Sequence, residues 1–402
     1  MDEQRILELD EKAVQSAERY PRRRASFAAL EAEPGRPFVA VLGPRGTGKT
    51  IILRQLRSGR PASLYISADT LAPEDRLTDV IALFSERYRI QSFYIDEIHF
   101  LKRYAADLKE IYDFSQVSIW FSSSVALSLY STAWDLSRRV IRHILLPFTF
   151  REYLAFRFGL ELDPLPLETA LRHPVPAAHL RTSYRLEGYL SGGLFPHTLE
   201  SGTRLQAFEN IVQKTLTGDI PSLEPSLTLD DLRNVERTLA FVGNASGDEV
   251  NYSSTARNAG VTKYKAEKYL ELLERSFVVR RVFPAGAHVL KEPKLLLLPP
   301  YRLLYRPIEQ CIGQLREDFF ALAMDQHGLE FRYLKSTRGR KTPDFLLDLG
   351  GSVTVLEVGG RGKGRSRFKN IDYDRKVVLY QAGESAASGG DRIPLHCTGF
   401  PE

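Results

Sequence analysis

Cysteine is nearly missing from this chain: among 402 residues only Cys311 and Cys397 carry thiols. Two thiols exclude a disulfide framework and a cysteine-rich zinc site, and they suit a reducing cytoplasm. A large excess of one charge is also lacking, since 55 Lys and Arg face 50 Asp and Glu for a net +5. Any nucleic-acid contact must therefore come from local clustering rather than a generally basic surface. No uncharged apolar run approaches the roughly 18 residues of a spanning helix. The start, MDEQRILELDEK, carries acids where a secretion signal would be basic and then apolar. The expectation is a cytoplasmic protein, neither secreted nor membrane-embedded. There is no internal repeat, and 43% hydrophobic with 26% charged residues excludes a mainly disordered or collagen-like chain.

What is present is length enough for two to four domains at roughly 100–200 residues each. Residues 1–149 alternate short apolar runs (37–43, 62–68, 92–96, 117–121) with helical periodicity (49–56, 74–88, 100–114). That alternation predicts an α/β core with a mostly parallel sheet. Residues 150–227 turn helical and proline-interrupted, as in a helical lid. A third unit spans 228–284. A fourth spans 285–402, where FLLDL and SVTVLEV flank Gly350-Gly351 as a two-residue hairpin. From Arg332 to Lys376 twelve basic residues meet five acidic ones, leaving the rest of the chain near neutral.

The strand PFVAVLG runs into Gly43-Pro44-Arg45-Gly46-Thr47-Gly48-Lys49-Thr50, and a helical pattern follows. This is the G-x-x-x-x-G-K-[ST] phosphate loop in its strand-to-helix setting. Its backbone N–H groups and the helix N-terminus favour phosphate oxygens, Lys49 would reach the β- and γ-phosphates of ATP, and Thr50 would bind Mg²⁺. SFYIDEIH supplies the acidic partners. Asp96 would hold Mg²⁺ through water and Glu97 would polarise the attacking water, which favours hydrolysis over binding alone. After the strand VSIWF, Ser122 could sense the γ-phosphate or cap a helix. Arg139, or Arg138 beside it, could act on the γ-phosphate of a neighbouring copy in a homo-oligomer, or be an ordinary ion-paired arginine.

GPRGTGKT, FYIDEIH and DLSRRVIRHILLPFTFREYL together resemble a prokaryotic AAA+ ATPase family related to archaeal-type ATPases and origin-recognition proteins. YLSGGLFP at 189–196 resembles that family's Gly-Gly-Pro signature with one extra residue. The resemblance implies a P-loop NTPase core with parallel sheet and helical lid, then a winged helix and a C-terminal α/β domain of restriction-endonuclease-like fold.

Residues 251–270 read as two helices joined by a glycine turn, with Ala256 and Val261 at the crossing and a wing strand from Phe277. Lys263, Lys265 and Lys268 project near the start of the second helix. There they could contact double-stranded DNA, while the same module could instead dock a protein. In the last domain, Pro343-Asp344 and Glu357 resemble the paired carboxylates of metal-dependent nucleases, with Glu317 as a helix-borne acid. Gly359 stands where a lysine is expected, so loss of catalysis is favoured, with Lys363 as a substitute. Arg361, Lys363 and Arg365 would then bind phosphates or form a solvated loop. The leading expectation is an ATPase whose nucleotide state controls DNA engagement. The alternatives are an ATP-gated protein-docking switch and an ATP-regulated nuclease.

Overall fold

A computed structural model describes residues 2–72, 74–126, 136–202, 205–245, 250–286, 292–334, 342–359, 373–381 and 391–402. The chain forms two compact units. One comprises Met1–Leu146 and Gly218–Ser226, the other Pro147–Thr217 and Leu227–Glu402. The stretch 218–226, grouped by sequence with the helical segment 150–227, thus belongs to the first unit.

In the first unit β1 (Phe38–Leu42), β2 (Ser63–Ser67), β3 (Ser92–Asp96), β4 (Ser118–Ser123) and β5 (Val140–Ile144) form a parallel sheet ordered β2-β3-β4-β1-β5. β1 is buried along its whole length, as expected of a strand covered on both faces. β5, at the edge, is buried only at Val140 and otherwise half-buried or exposed. Val39, Val41, Ile52, Leu53, Tyr94 and Trp120 share one core, where the Tyr94 and Trp120 rings stack at 5.1 Å. Helix Glu3–Glu18 is tied to this core through Asp10. Its carboxylate accepts two hydrogen bonds from Arg57 at 2.7 and 2.6 Å and one from the Tyr65 N–H at 2.7 Å. The helix expected from 74 begins at Leu77, whose N–H donates to the buried Asp107 carboxylate at 2.8 Å. The one expected from 100 begins at Tyr104, after a 3₁₀ turn over Ile98–Phe100.

The second unit opens with helix Phe150–Phe158, closed at its N-terminus by a reciprocal Thr149–Glu152 capping box. The Gly-Gly segment lies in a π turn, Tyr189–Gly193. A Cβ on Gly193 would meet the Tyr153 ring at 2.4 Å, and the Tyr189 hydroxyl donates to the Phe148 carbonyl at 2.6 Å. The glycine there is a packing requirement.

Helices Leu229–Asn244, Tyr252–Ala259 and Lys263–Arg275 follow, the last two joined at Gly260 in left-handed conformation. β6 (Val279–Val282) then pairs antiparallel with β7 (Lys294–Leu297). The partner of β6 thus lies ten residues beyond the expected boundary at 284, in the buried run KLLL. Beyond it, helix Ile308–Gln326 packs with a sheet of β8 (Phe331–Tyr333), β9 (Phe345–Leu349), β10 (Ser352–Gly359), β11 (Arg375–Tyr380) and β12 (Arg392–Pro394), ordered β12-β11-β10-β9-β8. Gly350 and Gly351 both take positive φ and form the expected two-residue turn between antiparallel β9 and β10. Among the described residues no helix is long and apolar enough to cross a membrane.

Candidate active site

The carboxyl ends of β1, β3 and β4 carry the site, as the topology of an open parallel sheet requires. β1 ends at Leu42 and the loop 43–48 leads into helix Lys49–Ser58, whose N-cap Gly48 has φ 91°. At the other end of the loop, a Cβ on Gly43 would strike the Leu145 carbonyl at 2.2 Å. Only glycine lets the backbone turn this tightly against β5. Thr47, fully buried, donates its hydroxyl to the Pro44 carbonyl at 2.9 Å. Arg24 braces the loop from outside, donating to the carbonyls of Thr47 at 3.0 Å and Leu146 at 2.8 Å.

Lys49 is buried, and its ammonium donates to the loop's own Gly43 and Pro44 carbonyls at 2.8 and 2.9 Å. Burial pushes its pKa below the usual lysine value, against the opposing pull of Glu97 and Asp96.

Asp96 ends β3. It accepts from the Tyr65 hydroxyl at 2.9 Å and from the Ser122 hydroxyl, which reaches across from neighbouring β4. Burial, then the charge of Glu97, push the Asp96 carboxyl above the usual range, while hydrogen bonds from Ser122, Thr50 and Tyr65 work the other way. The Ser122 oxygen in turn accepts from the Glu97 N–H at 2.9 Å. Glu97 itself sits in the left-handed region at φ 52°, an uncommon conformation outside glycine that turns its side chain away from the strand direction. Its carboxylate accepts from the Ser124 N–H at 3.1 Å. Ser122 thus links Asp96 to Glu97, a contact that neither sequence expectation, γ-phosphate sensing or helix capping, included.

Three participants escaped the sequence reading. Tyr65 is one. His99 is another, its Nδ1 3.3 Å from Glu97 Oε2 and 3.1 Å from Ser123 Oγ. The third is Asp219, fully buried, which accepts from Arg45 Nε at 2.7 Å and from Arg45 Nη2, and lies 3.4 Å from His99 Nε2. Burial pushes the Asp219 carboxyl up, but His99 and Arg45 outweigh it and hold it below the usual range. Arg45 also places Nη1 3.7 Å from Glu97 Oε1.

Arg139 is not brought to this cluster within the chain. It immediately precedes β5 at the opposite end of the sheet, its carbonyl accepting from the Phe38 N–H, and its guanidinium pairs with Asp113 at 2.9 Å. At ~3.3 Å per residue the length of β1 puts it about 15 Å from the loop.

The residues suit a nucleotide with Mg²⁺. Thr50 and Asp96 offer the hydroxyl and carboxylate oxygens a hard cation prefers, and Lys49 satisfies its ammonium on neutral carbonyls that phosphate oxygens would outcompete.

Residues 35–154 match the AAA domain family. This part of the chain is an AAA domain. Residues 183–298, which include the helix-turn-helix and the β6–β7 hairpin, match a domain of unknown function. An uncharacterised protein of Methanocaldococcus jannaschii is 25% identical over 405 aligned residues, covering 90% of this chain and 84% of its own. Among solved structures, the Aeropyrum pernix ORC1 protein in complex with DNA is 15% identical, covers 78% of this chain and 93% of that one, and superposes with a TM-score of 0.32. AMPPCP-bound DnaA from Aquifex aeolicus is 13% identical, with coverages of 62% and 86% and a TM-score of 0.27.

Outside the AAA domain, the basic residues expected at the start of helix Lys263–Arg275 project outward but are paired. Lys263 binds Glu292, and Lys265 binds Asp231 at 2.9 Å. Tyr264 is 75% exposed between them. Asp344, just before β9, donates its N–H to the Leu356 carbonyl at 3.0 Å, one residue out of step with the β9–β10 register, and Glu357 is buried in β10. Asp344 accepts from the Val358 N–H at 2.8 Å, and Glu317 pairs with Lys294 of β7 at 2.8 Å. Among the described residues no group of three or more His, Cys, Asp and Glu could hold a metal ion. Gly359 ends β10, and Arg361, Lys363 and Arg365 lie outside the described residues.

Proposed function

We propose that the protein binds and hydrolyses ATP at the phosphate loop of its AAA domain, and that nucleotide state governs engagement of double-stranded DNA by a winged helix at 229–297 and the domain that follows. The observation that supports the reading is the bridge in which Ser122, reaching across from β4, donates to the Asp96 carboxylate and accepts from the Glu97 N–H, so that β3 ends in two consecutive carboxylates, one suited to hold Mg²⁺ and one suited to activate water. Backbone N–H groups of residues 45–48 hold the phosphates, with Lys49 moving from the loop carbonyls to the β- and γ-phosphates. A bound Mg²⁺ would neutralise charge developing on the phosphates. Glu97 takes a proton from the attacking water. Such a base is worth about 10²–10⁴-fold, so Glu97→Gln should keep ATP bound and lose at least roughly 100-fold in kcat. Wild-type turnover would overturn the assignment.

One observation favours a second reading for the helix-turn-helix. Lys263 and Lys265 are already ion-paired, which weakens a phosphate-binding face and suits nucleotide-gated docking of a protein. ATP turnover with and without duplex DNA, at two salt concentrations and with Lys49→Ala as blank, separates the two. Stimulation that fades with salt supports DNA engagement, since each phosphate contact adds to the salt slope. Turnover indifferent to DNA supports docking.

A further inference from the structure

Glu97 and three other side chains close a ring. Arg45 Nη1 lies 3.7 Å from one Glu97 oxygen and His99 Nδ1 3.3 Å from the other. Both side chains converge, on their far sides, on Asp219: Arg45 with two N–H groups, His99 through Nε2 at 3.4 Å. Asp219 and His99 are almost entirely shielded from solvent, so neither is a casual surface contact. Arg45 comes from the phosphate loop, His99 from the turn after β3, and Asp219 from the stretch 218–226. That stretch is a short excursion into the first unit between two long segments of the second. Asp219 sits where a π turn over Thr215–Asp219 meets helix Ile220–Leu223, so the backbone fixes it at both sides.

We propose that Asp219 is the positioning residue for Glu97, acting through Arg45 and His99 to set where the general base stands. This rests on the reading of Glu97 given above. An ionised carboxylate only accepts, so the His99 nitrogen facing Asp219 carries a hydrogen, and that fixes the ring with Nδ1 toward Ser123 and Glu97. The same carboxylate takes two of the guanidinium's N–H groups in a bidentate pair, leaving Nη1 at a distance from Glu97 too long for a hydrogen bond. Without the charge of Asp219, Glu97 becomes the remaining strong anionic partner of Arg45 within the ring. The guanidinium would close on it and remove the base from the water. The stretch that carries Asp219 is covalently continuous with both segments of the second unit. Any shift of those segments that moves residue 219 thus reaches the hydrolytic base without altering the phosphate loop's glycines.

The test uses the full chain. Asp219→Asn should bind a fluorescent ATP analogue within about threefold of wild type, keep its KM, and lose roughly 10–100-fold in kcat, while Asp219→Glu regains part of the loss. A general packing defect would move binding and thermal midpoint together and would not be rescued by the longer carboxylate. Wild-type kcat in folded Asp219→Asn, or a raised KM with kcat intact, overturns the proposal. If Asp219→Asn does not fold, His99→Leu removes the other arm while filling the same space: lowered kcat with analogue binding retained supports the proposal, and unchanged kcat sinks it. Glu97→Gln run alongside keeps the two readings apart. If it turns over normally, the base assignment fails. If it is dead while Asp219→Asn is fully active, only the positioning role fails.

Discussion

Arg302 and Asp318 are 2% and 1% exposed, and their pairing gives a quantitative test of how the second unit is held together. Asp318, on helix Ile308–Gln326, accepts from Arg302 Nε at 2.6 Å and Nη2 at 3.0 Å, and from the Leu297 N–H of β7 at 2.9 Å. Arg302 also donates to the Val242 carbonyl at 3.2 Å, near the end of helix Leu229–Asn244. One salt bridge therefore ties helix Leu229–Asn244, strand β7 and helix Ile308–Gln326. Asp318→Ala leaves a guanidinium uncompensated in the interior and a β-strand N–H without its acceptor. Breaking a buried pair from one side costs about 3–5 kcal/mol. An orphaned N–H accounts for about 1–3 kcal/mol of comparable penalties.

Replacing both partners behaves differently, because no buried charge is left behind. Arg302→Met with Asp318→Leu should cost less than Asp318→Ala alone, by about 2 kcal/mol or more, the remainder reflecting the Leu297 N–H and Val242 carbonyl. Urea unfolding reads this directly. Far-UV circular dichroism follows both units, whereas the fluorescence of the buried Trp120, read in a Trp134→Phe background, follows the first unit alone. The dichroism midpoint should drop and the fluorescence midpoint should move less. A cost below about 1 kcal/mol for Asp318→Ala, or a double variant worse than the single one, would refute the argument that this pair is a buried, mutually dependent unit.

Ser122→Ala should remove both links of the Asp96–Ser122–Glu97 bridge. Losing a hydrogen bond to a charged group costs about 1.5–3 kcal/mol, or roughly 10–100-fold in kcat, with nucleotide-analogue binding nearly unchanged; equal loss of binding and turnover would point to a collapsed loop instead. His396, in the second unit, donates from Nε2 to the His179 carbonyl at 3.1 Å, and burial pushes its pKa from 6.5 down to about 4. The folded state refuses a proton that the unfolded state accepts. Its contribution is therefore complete above pH 6.5 and is lost as pH falls toward 4, by about 3 kcal/mol. His396→Gln should flatten that decline in a pH series of urea midpoints, and an unchanged slope would contradict it. Tyr65→Phe keeps the buried ring and removes one donor to Asp96, so stability should fall by about 1 kcal/mol and turnover by less than in Ser122→Ala.

The phosphate loop was legible because all its parts lie within eight consecutive residues and its setting, an apolar run before and helical periodicity after, is local. Asp96 and Glu97 were legible for the same reason. Ser122 could be picked out by its place at a strand end but not assigned between two roles, because that depends on β4 lying directly beside β3, a pairing no local pattern reveals. Asp219 was illegible on stronger grounds: its partner Arg45 is 174 residues away, and an aspartate before Ile-Pro looks like any helix start. Lys263 and Lys265 show the complementary failure. Their outward direction follows from helical period, but their neutralising partners, Glu292 and Asp231, come from elements 29 and 34 residues off.

Arg139 makes the physical reason explicit. Read along the chain it is nearer to Ser122 than Ser122 is to Asp96, and all three lie at the end or just before the start of a strand of the same sheet. In a parallel sheet, however, direction decides location: residues that end strands gather at one rim and residues that begin them at the other. Ser122 and Asp96 end β4 and β3, so they meet. Arg139 precedes β5, beside Phe38 at the start of β1, so it cannot meet the loop at the end of β1 in the same chain. Its pairing with Asp113 occupies the guanidinium at that far rim. Within the chain, the arginine beside the Glu97 carboxylate is Arg45, inside the phosphate loop itself, and its guanidinium pairs with Asp219 from the stretch 218–226.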